Sequence, residues 1–257
     1  MKTTITFAEI REVLDDLEIA ADLTKSEIIE LIYKADSIGE LRRMIEGAKS
    51  ITQDELIAAL FGEPDESGDD SVLSAMMSLE SSKPTGAWGK GNGGISASHL
   101  NVDVNMQKGV PDGYWKNLRE AVSGHMIPPA LIVAIFCRES NHGRALNKDG
   151  FGDNGHAYGV GQVDVRYHDQ YTLGGPYSVV HMRQCIEIWE WFYSKVKNKH
   201  QDWEQKYLVK GATVAYNSGA ENVQTIENMD VGTTGNDYGA DVLARAQYYQ
   251  ALKPWEA

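Results

Sequence analysis

The sequence predicts a mainly α-helical protein of the α+β class, in which a large helical domain with a small β element follows a smaller N-terminal helical domain. Apolar residues recur at helical spacing in many stretches, as in "FAEIREVLDDLEIAADL" near the start. The run "PPALIVAIF" at 128–136 is almost purely apolar, which predicts a central buried helix. The stretch at 148–169 has too many glycines for one long helix, and it favours a short β-hairpin or sheet.

Residues 1–62 form the smaller predicted domain, whose role the sequence leaves unknown. Their pattern indicates three or four short helices. Two capping boxes, "TKSE" at 24–27 and "TQDE" at 52–55, mark helix starts. Residues 1–70 carry 18 acidic and 7 basic side chains, so the outer faces of these helices are expected to be acidic.

A flexible linker is predicted between the two domains, at residues 63–92. It begins near the acidic "GEPDESGDDS" and ends with "SSKPTGAWGKGNGG", which is rich in glycine and serine. Between them, "VLSAMMSLE" has room for a helical turn or two. The acidic part is a poor calcium loop, because the glycine and the closing glutamate of an EF-hand are misplaced.

Residues 93–257 form the larger predicted domain. Helical patterns cover five of its stretches: 113–126, 128–140, 177–200, 203–226 and 237–252. Pro128 or Pro129 occupies the first turn of the second of these helices, where a missing N–H is tolerated. A helix kink or end is expected at Tyr216 and Asn217.

The composition argues against several partners and environments. The chain of 257 residues has a net charge of −13, whereas phosphate binding needs clustered lysine and arginine, so no nucleic-acid partner is expected. No run of 18 apolar residues occurs, and no membrane span is predicted. The only two cysteines, Cys137 and Cys185, are expected to be buried free thiols rather than a disulfide framework.

Glu139 is the main candidate for chemistry, because it lies at the end of the apolar helix. A carboxylate beside apolar neighbours loses solvation, so its pKa should rise and leave a proton available, as a general acid requires. The alternative is a solvent-facing helix end. Glu139 and His142 also form a Glu-x-x-His pair, which di-iron bundles use, but a second copy is missing. Cys137 should point away from Glu139 and act as a core thiol.

Two aspartates in the glycine-rich stretch are candidate partners of Glu139. Asp153 in "GFGDNG" and Asp164 in "GQVDVRYH" follow the apolar helix, and carboxyl groups across a gap are the arrangement for inverting glycoside hydrolysis. The alternatives are an Asx-turn for Asp153 and a helix N-cap for Asp164. His181 and Cys185 could ligate zinc, but no second pair completes a site, so core packing is favoured.

Six stretches, taken in order, resemble the goose-type lysozyme family. They are "GISAS" at 94–98, "RESNHG" at 138–143, "GFGDNG" at 150–155, "YGVGQVDVRYH" at 158–168, "AYNSGAENV" at 215–223 and "MDVGTTGNDYGADVLARAQYY" at 229–249. The resemblance covers about residues 93–255. It implies a lysozyme-like α+β fold and a bacteriolytic muramidase, which hydrolyses the β-1,4 bond between N-acetylmuramic acid and N-acetylglucosamine in peptidoglycan.

The resemblance also implies roles for single residues. Glu139 matches the catalytic acid, while Asp153 and Asp164 match the acids that hold or activate the attacking water, without a metal or cofactor. Five further residues match positions that line the substrate cleft: Gln162, His168, Tyr216, Asn217 and Tyr238. Val160 and Gly161 stand where the family often has Leu-Met, which predicts extra space in the cleft floor.

Two other functions stay open at the level of sequence. A lytic transglycosylase on the same fold would use one glutamate and close a 1,6-anhydro ring instead of adding water. A catalytically silent wall-binding protein would bind peptidoglycan glycan strands without cleaving them. The paired aspartates argue against the first, and all three acids together argue against the second.

Residues 1–62 are expected to bind a protein partner, because their acidity disfavours adhesion to anionic wall polymers. The opening stretch "MKTTITFAEIREVLDDLEIA" carries acids throughout and lacks the apolar core of a Sec signal peptide. We therefore expect synthesis in the cytoplasm, followed by release or delivery to the bacterial cell wall by another route.

Overall fold

A computed structural model of the chain describes residues 70–79, 94–168 and 174–256. All of these belong to one compact unit, Glu66–Ala257. The small helical domain predicted at 1–62 lies outside the described residues, as does most of the linker predicted at 63–92. The predicted domain boundaries therefore stay predictions.

The described residues form a mainly helical fold with a small sheet, which confirms the predicted α+β class. Their helices are α1 (Asp70–Ser78), α2 (Gly94–Lys108), α3 (Tyr114–Val122), α4 (Pro129–Ser140), α5 (Val179–Lys199), α6 (Gln205–Ser218) and α7 (Tyr238–Leu252). The strands are β1 (Phe151–Gly152), β2 (Ala157–Tyr158) and β3 (Val163–Asp164). Short 3-10 turns occupy Asp153–Gly155, Ala220–Asn222, Thr234–Asn236 and Pro254–Glu256.

Helix α4 is part of the core, as its apolar sequence predicts. The side chains from Ala130 to Cys137 are completely buried. Pro129 is the first helical residue, where its missing N–H costs no helical hydrogen bond. Asn141 ends the helix in the left-handed conformation, with φ 52° and ψ 48°. Glu139 therefore lies in the last turn of a helix whose body is anchored in the core.

The other helices pack around α4 and against one another. Helix α7 lies against α4, α2 and α6, while α5 lies against α6 and α3. Helix α1 packs on α6 and α7, and it buries Val72 and Met76 completely. Helix α1 lies within the segment predicted as a linker. The polar and glycine-rich sequence on either side of α1 does not indicate that this helix packs against the larger domain.

Two helices end earlier than their sequence patterns predict, and a glycine follows each end. Helix α3 stops at Val122 and Gly124 has φ 76°, while α6 stops at Ser218 and Gly219 has φ 81°. Glycine adopts such positive φ angles without steric cost, so the chain can turn there. The end of α6 lies next to Asn217, close to the predicted kink or end.

The glycine-rich stretch forms the sheet, as predicted. Its three strands pair antiparallel in the order β1-β2-β3. Phe151 lies opposite Tyr158 in the first pair, and Ala157 lies opposite Asp164 in the second. Asp153 follows β1 directly and Asp164 closes β3, so the sheet fixes the positions of both candidate aspartates relative to each other.

Cys137 and Cys185 are both free and buried, which confirms the prediction made from their number. Arg245 Nη1 donates to the Cys137 sulfur at 3.1 Å, deep in the core and away from the cleft described below. Among the helices that the structure describes, none is long and apolar enough to cross a lipid bilayer.

Candidate active site

A cleft of about 1050 Å³ lies beside the end of α4. Side chains from the end of α4, the sheet, the segment after β3, helix α5 and the end of α6 line it. Seven of the eight residues proposed from the sequence are among them: Glu139, Asp153, Gln162, Asp164, His168, Tyr216 and Asn217. The fold therefore gathers residues that are up to 78 positions apart in the chain into one site.

Glu139 is partly buried where α4 meets the cleft. Its Oε1 atom accepts a hydrogen bond from the Tyr238 hydroxyl. Burial removes water from the carboxylate and raises its pKa from 4.5 to about 7, although the Tyr238 hydrogen bond and the charge of Arg138 lower it. Glu139 can therefore keep a proton in mildly acidic solution while it lines the cleft.

Tyr238 is placed differently from the expectation that it lines the cleft. It is the first residue of α7, and its side chain is only 1% exposed. Its hydroxyl reaches Glu139 from the core side, because α7 packs directly on α4. Tyr238 is thus placed to orient the carboxyl group of Glu139 rather than to contact a ligand.

A buried ionic network next to Glu139 is absent from the sequence-based list of site residues. Arg138 Nη1 donates to Asp241 Oδ2 at 2.5 Å, and Arg138 Nη2 donates to Asp237 Oδ1 at 3.3 Å. The Ser98 hydroxyl donates to the other oxygen of Asp241 at 2.5 Å. The sequence did contain a sign of this network. Arg138 and Asp241 are charged residues within otherwise apolar helical segments, and a buried charge needs a paired partner.

Asp164 closes β3 and forms a two-point ion pair with the side chain of Arg166. Arg166 Nη2 lies 2.5 Å from Oδ2, and Nε lies 2.9 Å from Oδ1. The hydrogen bonds from the Arg166 side chain are the main reason that the pKa of Asp164 is lowered below 3.8. Oδ1 also accepts the backbone N–H of Arg166 at 2.9 Å, so Asp164 caps a local turn, which is close to its predicted alternative role.

Asp153 is exposed in the turn between β1 and β2, with a φ of 43°. Within the described residues its carboxylate accepts no hydrogen bond, so the structure gives no support to the Asx-turn alternative. Both aspartates raise the pKa of the Arg166 guanidinium. The hydrogen bonds to Asp164 have the larger effect, and the negative charge of Asp153 has a smaller one. The arrangement leaves the Asp153 carboxylate available to a water or a ligand.

The remaining predicted cleft residues are held by contacts with the backbone or with neighbouring loops. Gln162 Nε2 donates to the Gly159 carbonyl at 2.9 Å. Asn217 Oδ1 accepts the backbone N–H of Thr234 at 3.0 Å, which ties the end of α6 to the loop before α7. His168 lines the cleft four residues after Asp164. The contacts of Gln162 and Asn217 hold these two side chains in place at the cleft.

The expected extra space at Gly161 does not exist. A Cβ atom at this position would clash with the Cys185 sulfur and would lie 2.8 Å from the Tyr216 hydroxyl. The Tyr216 hydroxyl also donates to the Gly161 carbonyl at 2.9 Å. Side chains from α5 and α6 fill the space that the absent side chain leaves, so glycine here permits close packing beneath the cleft.

Neither of the metal-ligand pairs seen in the sequence forms an open site. Helix α4 ends at Ser140 and His142 has a φ of 57°, so Glu139 and His142 do not share a helical face. The two ring nitrogens of His142 lie 2.9 Å from the Tyr114 hydroxyl and 2.7 Å from the Tyr249 hydroxyl. His181 is buried with its Nε2 3.5 Å from the Cys185 sulfur, in line with the expected core packing.

Among the further residues that line the cleft and that the sequence did not indicate are Arg166, Tyr167, Trp191 and Lys195. Tyr167 is 79% exposed and Trp191 is 51% exposed. The helical stripe of α5 indicates which residues share a face, but not whether that face meets the core or a cleft. Only the packing of α5 against α6 and α3 decides this.

Comparison with known proteins identifies the family of this chain. The family model described as lysozyme g matches residues 71–252. The chain is 40% identical over 157 residues to lysozyme g of Casuarius casuarius, covering 61% of this chain and 82% of that protein. It is 37% identical over 171 residues to lysozyme g of Epinephelus coioides, covering 63% and 87%. The chain belongs to the lysozyme g family and is a glycoside hydrolase.

Proposed function

We propose that the protein hydrolyses the β-1,4 bond between N-acetylmuramic acid and N-acetylglucosamine in peptidoglycan with inversion, and that it is bacteriolytic. The observation that carries this proposal is that two carboxyl groups in one cleft have pKa values shifted in opposite directions. Burial raises the pKa of Glu139 to about 7, whereas Arg166 lowers that of Asp164. One group is thus an acid and the other a base at the same pH, as glycoside hydrolysis requires.

Glu139 donates its proton to the glycosidic oxygen as the bond breaks. The Tyr238 hydroxyl donates a hydrogen bond to Oε1 of Glu139. Because Oε1 accepts this hydrogen bond, the acidic proton is carried by Oε2, which can deliver it to the leaving group. The fixed position of Glu139 at the end of a buried helix limits its motion, and such positioning contributes to the rate.

Asp164 orients and activates the attacking water, with help from Asp153. An inverting enzyme needs room for a water between its carboxyl groups. Arg166 holds Asp164 through three side-chain hydrogen bonds, which lower the pKa of Asp164 and so favour its ionised carboxylate. The proposed mechanism uses only side chains of the protein. Because peptidoglycan is the substrate, the reaction takes place in the bacterial cell wall.

Product analysis on purified peptidoglycan tests the proposal. Inversion of a β bond releases the α-anomer first, which proton NMR detects before mutarotation. Glu139→Gln should lower kcat by at least about a hundredfold, because it removes a general acid. Asp164→Asn should also lower kcat strongly. Glu120→Gln, an exposed amide substitution on α3 outside the cleft, is the matched control.

Four results would overturn parts of the proposal. A β-anomer as the first product would show retention of configuration, and 1,6-anhydro ends in mass spectra would show a lytic transglycosylase. Binding to walls without any release of muropeptides would show a silent wall-binding protein. Substantial lysis by Glu139→Gln would remove that residue from the role of acid.

A further inference from the structure

The α5 wall of the cleft carries an exposed aromatic ring. Ile188, Trp191, Phe192 and Lys195 line the cleft from one face of α5, as their spacing of three and four residues allows. Trp191 is 51% exposed, whereas Trp189 on the opposite side of the helix is completely buried. An exposed tryptophan in a concave site presents apolar surface that a ligand can cover.

A cation lies against this ring. The Lys195 Nζ atom is 5.0 Å from the centre of the Trp191 ring. Within the part of the chain that the structure describes, no carboxylate forms an ion pair with Lys195. The tryptophan and the lysine therefore form one surface, called here the Trp191–Lys195 rim, which offers an apolar patch and a positive charge side by side.

We propose that the Trp191–Lys195 rim binds a muramyl residue together with the peptide that it carries. The indole stacks on the apolar face of the sugar, and the Lys195 ammonium pairs with a carboxylate of the stem peptide. The peptide is joined to the lactyl group of muramic acid, so a sugar and an acidic group lie close enough for neighbouring side chains. The inference rests on the proposed function, because it names the part of peptidoglycan that this wall of the cleft binds.

The two side chains of the rim should respond to different parts of a ligand, the Trp191 ring to sugar faces and the Lys195 charge to acidic groups. A chitin tetrasaccharide has sugar faces but no acidic group, so it can use the ring and not the charge. A muropeptide tetrasaccharide can use both. In the intact muropeptide the lactyl carboxyl is an uncharged amide, and the negative charges belong to the peptide. Amidase treatment removes the peptides and frees the lactyl carboxylate, so the two sources of negative charge are carried by different ligands.

Calorimetric binding of these three ligands to the full-length Glu139→Gln protein tests the rim without turnover. Lys195→Met should weaken muropeptide binding by about threefold, as expected for an exposed ion pair, and should leave chitin binding unchanged. The loss should shrink at about 0.5 M salt. Trp191→Ala should weaken all three ligands by about tenfold, while Trp191→Phe should retain most of the affinity.

The matched control is Lys197→Met, an exposed lysine on α5 that does not line the cleft. Equal losses for chitin and muropeptide in Lys195→Met, or no loss, would overturn the assignment of the charge. A loss as large for the amidase-treated form as for the muropeptide would show that Lys195 does not require the peptide carboxylate, and it would overturn the assignment to the peptide. Anhydro products from the wild type would refute hydrolysis while leaving these binding results unchanged.

Discussion

At the scale of single residues, burial raises the pKa of Glu139 and lowers the stability of the fold in alkaline solution. An ionised carboxylate that loses water is disfavoured in the folded state, whereas the unfolded chain solvates it fully. The folded pKa of about 7 lies above the ordinary value of 4.5, so folding binds a proton between these pH values. The stability that Glu139 contributes is complete below pH 4.5 and is lost as pH rises through 7.

Glu139→Gln should therefore stabilise the protein in alkaline solution. At pH 8 the amide avoids the buried charge, and we expect the free energy of unfolding to rise by about 1–2 kcal/mol, a value reduced for the solvent that reaches Glu139 in the cleft. At pH 4 the wild type is protonated, so the two proteins should match. Chemical denaturation at both pH values measures this. A gain of equal size at pH 4 would contradict the explanation by charge.

Tyr238→Phe should move the alkaline limb of the activity profile. The Tyr238 hydroxyl donates to Glu139 and lowers its pKa, so removing the hydroxyl should raise that pKa further. The pH at which kcat/KM falls by half should then shift upward by about one unit, while the maximal rate drops because the carboxyl is less well oriented. Tyr248→Phe, on the same helix but bonded to Asp103, is the control. An unmoved limb would refute this role.

At the scale of elements, the site is assembled from the ends of helices and strands. Glu139 lies in the last turn of α4, Asp164 closes β3, and Tyr216 lies in the last turn of α6. Element ends project side chains into a cleft while their bodies remain packed in the core. The floor of the site then depends on how closely these ends approach one another, and at Gly161 the approach leaves no room for a side chain.

Gly161→Ala should destabilise the protein and disturb the cleft. The added methyl group would meet the Cys185 sulfur on α5 and the Tyr216 hydroxyl on α6. Such overpacking should lower the free energy of unfolding by about 1–3 kcal/mol, which a thermal melt would show. Cys185→Ala combined with Gly161→Ala should recover part of the loss, because it removes the sulfur. No rescue in the double variant would mean that the contact with Cys185 does not cause the loss.

At the scale of the whole molecule, the larger unit begins before the predicted linker ends. Helix α1 contributes Val72 and Met76 to the same core that holds α4, although glycine-rich sequence separates it from α2 in the chain. The match of the family model from residue 71 agrees with this extent. Residues 1–62 lie outside the described residues, and a docking role for them remains a prediction.

Two truncated chains test the role of α1. A chain starting at residue 66 keeps α1 and is the reference for the comparison. A chain starting at residue 93 loses the burial of Val72 and Met76, which should cost about 3 kcal/mol or more and lower Tm by roughly 10 °C. Calorimetry of the two chains measures the difference. Equal melting temperatures would show that α1 adds nothing to the stability of the core.

The sequence by itself determined the helical class, the buried helix before Glu139, the small sheet and the order of the acids. These follow from periodicity, composition and short motifs, which are local properties of the chain. The apolar run before Glu139 was sufficient to predict a raised pKa, because desolvation depends on neighbours that include the helix itself. The resemblance supplied the aspartates, which no local pattern distinguishes from turn residues.

Only the tertiary structure decided the features that depend on distant contacts. Tyr238 lies behind Glu139 instead of in the cleft, Cys185 fills the space at Gly161, and Trp191 faces the cleft instead of the core. Each outcome depends on how one helix packs against another. Periodicity identifies a helical face, but the partner that covers the face is chosen by packing across the whole chain.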